Sequence, residues 1–501
     1  MQAALFLKAD PLLALATLIS SRQLSYGFLI STITLVSAIL AGRVFCGYAC
    51  PLGTLFDLAG RHSSIQKRYS LKNGKYYILI FLFFSAVFGL NLSGLVDPLA
   101  LLTRMCTFIL YPVIHMLGNA GLDSVRPAAD YLRLLSLSHA QLAQPVFSWA
   151  LLSITLCLLL FYLNTLSHRF WCRNLCPLGA LLSLFSRNGL LRRNVSKTCT
   201  TCMKCYHACP MGAIPGRPDT TLEEECIVCL RCAKICPPKA VAFTFSRVPG
   251  AQILPRISAT RRNLLLSASA GACAVFSRKI SPPQKIASTR LMRPPGALPE
   301  ALFLTACIRC GECMQVCPTN TLQPTLFEEG LDSIWSPKLV PRIAACDQTC
   351  SLCGTVCPTS AIRPLSLEEK KHARLGTAYI ETNRCLVWAQ SRDCFICDEQ
   401  CPYNAIVFKW KDGLRRPFVI DTKCNGCGFC EQVCPVKGES AIMVTSHGEL
   451  RLEEGSYIAR AKELQLSFSE VPEEEKFFLE DGAIRKKDTV DKKLPEGFFV
   501  K

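Results

Sequence analysis

Cys199-x2-Cys202-x2-Cys205-x3-Cys209-Pro210 and Cys226-x2-Cys229-x2-Cys232-x3-Cys236-Pro237 carry the spacing of a bacterial two-cluster ferredoxin. In that pattern three closely spaced thiolates hold one face of a four-iron cubane, and the fourth cysteine, ahead of proline, ligates the other cluster. Cys199, Cys202 and Cys205 are therefore expected to share a [4Fe-4S] cluster with Cys236, and Cys226, Cys229 and Cys232 one with Cys209. Zinc ribbons use separated CxxC pairs and give no reason for the third cysteine or the proline. Beyond Arg293, Cys307, Cys310, Cys313 and Cys317 repeat the regular spacing, as do Cys424, Cys427, Cys430 and Cys434. Between them stand Cys346-x3-Cys350-x2-Cys353-x3-Cys357 and Cys385-x8-Cys394-x2-Cys397-x3-Cys401, whose first intervals are lengthened. Every quartet ends in Cys-Pro, so the longer intervals read as an extra loop before an otherwise intact motif. Six [4Fe-4S] clusters are expected, and spacing leaves the pairing of the last four quartets open.

A different cysteine motif occurs twice in the first half. Asp10-Pro11-Leu12, an apolar segment and Arg43-x2-Cys46-x3-Cys50-Pro51-Leu52-Gly53 recur as Asp97-Pro98-Leu99, an apolar segment and Arg169-x2-Cys172-x3-Cys176-Pro177-Leu178-Gly179. Cysteines four apart are expected on one face of a helix end. A pseudo-two-fold repeat could bring Cys46, Cys50, Cys172 and Cys176 to one point, to hold a metal centre or act as a dithiol/disulfide pair. The plainer reading makes them buried small residues before a helix-starting proline. Asp10-Pro11 and Asp97-Pro98 read as capped helix starts; the alternative for Asp97 is taking protons from a quinol.

These motifs are positioned by apolar segments long enough to span a bilayer: Leu24 to Gly42, Tyr76 to Val96 and Val146 to Leu166. Arg43, Arg61, Lys67, Arg68, Lys72 and Lys75 follow the first, and Arg169, Arg173, Arg187, Arg192, Arg193 and Lys197 the third. Residues 97–145 hold only Arg104, Arg126 and Arg133, so residues 43–75 and 167–255 are expected in the cytoplasm. That leaves the N-terminus outside, and the repeat suggests that one N-terminal helix is lacking. Thr260-Arg261-Arg262-Asn263-Leu264-Leu265 opens an uncharged run to Phe276 and resembles a twin-arginine export signal, here inside the chain and expected to be retained as a membrane segment.

The expected fold is thus an α-helical membrane domain, with three visible spanning helices in a two-fold repeat, plus α+β bacterial ferredoxin-like [4Fe-4S] domains. Its divisions are a transmembrane domain (1–197), a cytoplasmic two-cluster ferredoxin (198–247), a linker with the signal-like segment (248–300), a four-cluster domain outside the cytoplasm (301–446) and a solvated charged tail (447–501). Short strands are expected at 240–245, 379–381, 405–408, 418–420 and 441–444.

The formal charge of +18 suggests a nucleic-acid partner only until the clusters are counted. A cubane with four thiolates carries about −2, so six bring the chain to roughly +6, and no nucleic-acid binding is read from it. No CxxCH haem site, GxGxxG loop, flavin-attachment signature or catalytic triad is present. The chain reads as an electron carrier rather than a substrate-transforming enzyme.

Arg293-Pro294-Pro295-Gly296-Ala297-Leu298, ACIRCGECMQVCPTNTLQP (306–324), SPKLVPR (336–342) and CPVKGESAI (434–442) resemble NapG/MauM-type ferredoxins, which are twin-arginine-exported and hold four cubane clusters. FCGYACPLG and FWCRNLCPLG with the following ferredoxin resemble the NapH-type membrane polyferredoxin. The resemblance implies a fusion of the two: a multi-pass inner-membrane quinol dehydrogenase component with residues 301–446 in the periplasm. Quinol from the membrane pool would be its substrate, and a periplasmic reductase or cytochrome its electron acceptor. The two clusters on the cytoplasmic side fit a cytoplasmic electron donor equally well. The paired CxxxCP motif is also similar to that of redox accessory proteins that help mature metalloenzymes, a second reading that gives the last four clusters no role.

Overall fold

The computed structural model describes residues 2–23, 27, 29–60, 71, 73–187, 189–245, 261–280, 291–326, 330–411 and 413–468. Arg61, Lys67, Arg68 and Lys72 of the basic run, most of the linker flanking the signal-like segment, and the tail beyond residue 468 lie outside the described residues.

The first half is a bundle of short apolar helices. Four of them begin alike, on a non-helical cap followed by Pro-Leu: Pro11–Ser21 after Asp10, Pro51–Ala59 after Cys50, Pro98–Met105 after Asp97 and Pro177–Ser186 after Cys176. Proline suits the first helical position because its missing N–H would be unpaired there, and it holds the preceding residue extended. Both aspartates are caps as expected: Asp10 Oδ1 accepts from the N–H groups of Leu12 (2.7 Å) and Leu13 (3.2 Å), and Asp97 Oδ2 from Leu99 (2.9 Å) and Ala100 (3.0 Å).

The three expected spans are helical at Leu29–Ala41, Gly74–Val87 and Ala150–Leu166; the last two are shorter than anticipated, and residues 24–26 and 28 of the first lie outside the described residues. Gly89 (φ 80°) follows the end of the second and left-handed Trp149 (φ 64°) precedes the start of the third, interrupting runs that hydropathy alone reads as continuous. Among the described residues, one helical stretch is long and apolar enough to cross a bilayer, Pro98–Tyr131, 34 residues that include an 18-residue window of mean hydropathy 1.5. It lies in the stretch expected as a connecting loop, and a π turn at Cys106–Leu110 carries it between its two α-helical parts. The signal-like segment forms the helix Arg261–Ile280 beside Gly74–Val87. The two run parallel, with Asn263 at Tyr77 (3.4 Å) and Gly271 against Phe81 and Phe84. A Cβ on Gly271 would come within 2.9 Å of the Phe81 carbonyl oxygen, so glycine permits the close approach.

The cysteine-rich regions pack on opposite ends of the Gly74–Val87 helix. At its start, Lys75 Nζ donates to Glu225 (2.6 Å), beside Cys226 of the first ferredoxin module. Just past its end the Thr305 carbonyl, two residues before Cys307, accepts from Asn91 Nδ2 (3.0 Å) and from Ser20 Oγ (2.7 Å). The helix between the two contacts is 14 residues long, about 21 Å at 1.5 Å per residue. A side chain on Gly47 would strike the Ile227 carbonyl, and one on Gly94 the Ile308 carbonyl, so each region meets the bundle backbone to backbone.

The ferredoxin modules are loops framed by small antiparallel sheets. Strands β1 (Leu191–Val195) and β2 (Val241–Phe245) enclose the first module, Leu191 opposite Phe245. In the second half β3 (Leu322–Pro324) pairs with β4 (Pro337–Leu339), β5 (Thr377–Ile380) with β8 (Ile442–Thr445), and β6 (Ile406–Lys411) with β7 (Leu414–Val419). Strands β2 and β5 to β8 fall where the apolar runs flanking the quartets suggested, whereas β1, β3 and β4 were not expected. Two-stranded sheets are marginal alone, so stability must come from the loops they frame and from what those loops bind. One buried cluster runs through the second half from Met292 to Phe468 and includes Cys313, Cys346, Cys401, Cys424, Cys427 and Cys430.

The tail begins later than its charge suggested. Residues 447–468 pack on the second half: Tyr457 and Ala461 are fully buried, Leu450 N–H donates to the Arg374 carbonyl (2.9 Å) and Ser467 N–H to that of Thr422 (3.0 Å). Charged residues there sit on the outer side of an amphipathic helix, Tyr457–Glu463, whose apolar side the charge pattern hid.

Candidate metal centres

Three cavities define how the quartets pair. Cys226, Cys229 and Cys232 line one of about 370 Å³ with Cys209, the grouping expected from spacing. Cys346, Cys350 and Cys353 surround about 340 Å³ with Cys317, and Cys385, Cys394 and Cys397 about 410 Å³ with Cys434. The complementary sets are also together: Cys307, Cys310 and Cys313 interact with Cys357, and Cys424, Cys427 and Cys430 with Cys401. In the first module Cys205 interacts with Cys199 and Cys202 and shares a packed cluster with Cys236. The second half therefore resolves into two crossed modules, the third quartet with the fourth and the fifth with the sixth. Among the described residues no three His, Cys, Asp or Glu side chains converge as around a single ion; a four-iron core is larger and separates its thiolates.

The backbone fits an anionic group. In each regular quartet the residues flanking the second cysteine are left-handed: Thr201 and Met203, Val228 and Leu230, Arg309 and Gly311, Gly426 and Gly428. Alternating handedness turns successive N–H groups inward and forms a concavity of the kind found at phosphate and iron–sulfur sites. After the final Cys-Pro, a left-handed residue follows in all six: Gly212, Lys239, Asn320, Ser360, Asn404 and Gly438. That turn aims N–H groups at sulfur, as in Ala213 to Cys209 (3.3 Å), Ala405 to Cys401 (3.3 Å) and Ala441 to Cys434 (3.4 Å).

The lengthened quartets do it differently. Ser351 (φ −129°) and Phe395 (φ −120°) stand where the regular loops are left-handed. In the Cys346 loop, Asp347 closes the extra residue by accepting from Thr349 N–H (2.8 Å), and buried Lys370 reaches in to bond the carbonyls of Asp347 and Cys350. Burial pushes the Cys346 thiol up to about 11 although the Lys370 ammonium pulls the other way. A buried thiol with too little positive charge nearby stays protonated, so a cation is what this loop needs to present thiolates. Spacing gave no hint of Lys370.

Cys46, Cys50, Cys172 and Cys176 also come together. Cys176 packs in one buried cluster with Cys46, and Cys50 in another with Cys172, while Cys50 and Cys176 each interact with both pairs. They do not lie on a helical face as expected. The first cysteine of each pair sits in a short turn, a π turn at Phe45–Ala49 and a helix at Phe170–Asn174. The second is extended (Cys50 ψ 110°, Cys176 ψ 110°) because proline follows it.

Comparison with known proteins agrees with this division. A 4Fe-4S binding domain model matches residues 26–69 and 147–198, 4Fe-4S dicluster models match 191–237 and 392–437, and a further 4Fe-4S binding domain matches 303–323. The chain is 36% identical over 153 residues to the ferredoxin-type protein NapG of Escherichia coli K12, covering 28% of this chain and 65% of NapG. It is 32% identical over 209 residues to the methylamine utilization ferredoxin-type protein MauM of Paracoccus denitrificans, covering 39% of this chain and 91% of MauM. It is 30% identical over 158 residues to the ferredoxin-type protein NapF of E. coli K12, covering 31% of this chain and 87% of NapF. No solved structure matches.

Proposed function

Since the chain belongs to the ferredoxin-type family of MauM and NapF, iron–sulfur electron-transfer proteins, we propose that it is a membrane-bound electron carrier that oxidises quinol and delivers electrons to a periplasmic reductase or cytochrome. In this reading residues 1–197 are a NapH-like multi-pass domain, 198–247 face the cytoplasm, and 301–446, extended to 468 by the packed helix, lie in the periplasm. The observation that carries it is the crossed grouping of cysteines round three cavities, with modules on opposite ends of the helix bundle.

The residues present fit six four-iron clusters, held by Cys199, Cys202, Cys205 and Cys236; Cys226, Cys229, Cys232 and Cys209; Cys307, Cys310, Cys313 and Cys357; Cys346, Cys350, Cys353 and Cys317; Cys385, Cys394, Cys397 and Cys434; and Cys424, Cys427, Cys430 and Cys401. Such clusters supply one-electron transfer without bonds being made or broken. The chain's own part is to present thiolates, to point N–H groups at sulfur and to keep the modules fixed to the bundle. Arg231 and Glu225, next to cysteines of the first module, anchor it through Asp57 (2.8 Å), Arg43 (3.2 Å) and Lys75 (2.6 Å).

Two measurements test the reading. In membranes from cells making the protein, added quinol should bleach the visible iron–sulfur absorbance anaerobically; no bleaching overturns the quinol assignment. Arg261→Lys with Arg262→Lys should leave residues 300–445 inside, judged by protease access in spheroplasts, whereas equal cleavage of wild type and variant overturns the export assignment.

A further inference from the structure

We infer that Cys46, Cys50, Cys172 and Cys176 form one iron–sulfur site, a seventh centre shared by the two halves of the repeat and placed between the two cysteine-rich regions. The cysteines of the two repeats are interleaved. Cys46 shares a buried cluster with Cys176 and Cys172 another with Cys50, while Cys50 and Cys176 each interact with both Cys46 and Cys172, so the four thiols from the two repeats make one group. Cys50 and Cys176 are buried directly at the starts of the Pro51–Ala59 and Pro177–Ser186 helices, and Cys176 Sγ accepts the Gly179 N–H at 3.2 Å. A helix N-terminus favours negative charge on such a sulfur.

An arginine precedes each pair of cysteines. Arg43 and Arg169 hold equivalent places in the repeats and are both 1% exposed. They cross as the cysteines do. Arg169 Nη1 donates to the Cys46 carbonyl (3.0 Å), and its Nη2 lies 3.4 Å from where a Cβ on Gly53 would stand. Arg43 Nη2 lies 2.6 Å from the corresponding point on Gly179. The glycine of each Cys-Pro-Leu-Gly thus makes room for the other repeat's arginine, which accounts for a motif that helix capping alone does not require.

Charge then selects the occupant. Each arginine belongs to a triad of two cations on one carboxylate: Arg43 and Lys75 on Glu225, Arg169 and Arg231 on Asp57. Each triad nets +1, so the two triads together set two positive charges beside the thiols, against which buried Asp97 is a further carboxylate acting on Cys50. A four-iron core with four thiolates carries about −2 and answers them. A disulfide beside a dithiol is uncharged and leaves them unanswered, and the thiols do not close on a single ion. The place is also suited to a link. On one side Tyr48 Oη donates to the Val228 carbonyl (3.1 Å), within the loop of Cys226 and Cys229; on the other, Cys50 and Cys310 belong to one buried cluster.

The test is iron and sulfide analysis with Mössbauer spectroscopy on the full chain reconstituted anaerobically. Seven four-iron centres predict about 28 iron atoms per chain, and Cys50→Ser with Cys176→Ser about 24, the remaining spectrum unchanged. Wild-type protein with about 24 iron overturns the inference whether or not the variant folds. So does a variant matching the wild type in iron and spectrum, one zinc per chain lost in the variant, or a disulfide among these four cysteines in the iron-loaded protein. Arg43→Gln with Arg169→Gln should lower iron at this centre alone; equal loss from the other six would give the arginines a general structural role and remove the charge argument.

Discussion

Regular and lengthened quartets reach the same end by different means. In the regular ones a two-residue interval forces left-handed backbone on both sides of the second cysteine, and the N–H groups so exposed can face an anion. In the lengthened ones slack in the chain removes that compulsion, and in the Cys346 loop a distant side chain, Lys370, brings the positive charge instead. The Cys-Pro turn recurs in all six, one residue longer after Cys434, because proline and the left-handed residue after it act locally. Short-range geometry sets a cradle when the loop is tight; long-range packing must set it when the loop is not.

The largest expected effect asks whether both kinds hold a cluster at all. Cys350→Ser and Cys310→Ser should each remove about four iron atoms per chain by chemical analysis. Loss in Cys310→Ser alone would reduce the lengthened quartets to non-cubane sites. Next, Lys370→Met should speed chelator removal of iron from the Cys346 site by about tenfold or more, the equivalent of losing one charge-assisted hydrogen bond of about 1.5–3 kcal/mol. The same change at Lys371 should leave the rate unaltered; equal rates in both variants would show that Lys370 does not stand in for the missing backbone.

A smaller effect contrasts the residue after the second cysteine. Gly428→Ala puts a Cβ at φ 92°, 2.6 Å from Pro341 Cβ, and should cost about 1–2 kcal/mol in thermal unfolding of the loaded protein. Ser351→Ala, at the matching place in a lengthened loop, should cost less than about 0.5 kcal/mol. Equal losses would erase the distinction between the loops. The smallest effect concerns the anchor that fastens the start of the second half irrespective of loop type. Burial alone would raise Glu300, but Arg293 (2.6 Å) and Arg451 (2.6 Å) outweigh it and hold its carboxyl below the usual range. Its contribution is therefore present above the ordinary glutamate value of about 4.3 and lost as pH falls through the lower folded value. Glu300→Gln should lower the melting temperature at pH 7, with the difference from wild type shrinking below about pH 4.

Much of the site was legible because it is local. Quartet spacing named the cysteines, the Cys-Pro endings marked the turns, and apolar runs beside the quartets marked β2 and β5 to β8. Asp10 and Asp97 were readable as caps because a cap depends on three or four adjacent residues. Helix extent was less legible: hydropathy reads Tyr76 to Val96 as one segment, whereas Gly89 and the docking of Asn91 on Thr305 break it. The residues after 446 looked like a tail because Tyr457, Ala461 and Phe468 are too few to announce an apolar face until the groove that receives them exists. Which thiols exist and how the tight loops must turn follow from the chain alone, since those rest on bond geometry and neighbours a few residues away. That Cys317 faces Cys346, that Lys370 serves a loop twenty residues before it, and that Arg43 and Arg169 each reach into the other repeat emerge only in the folded molecule. Those depend on which backbones approach closely enough to exclude water and make an unanswered charge costly.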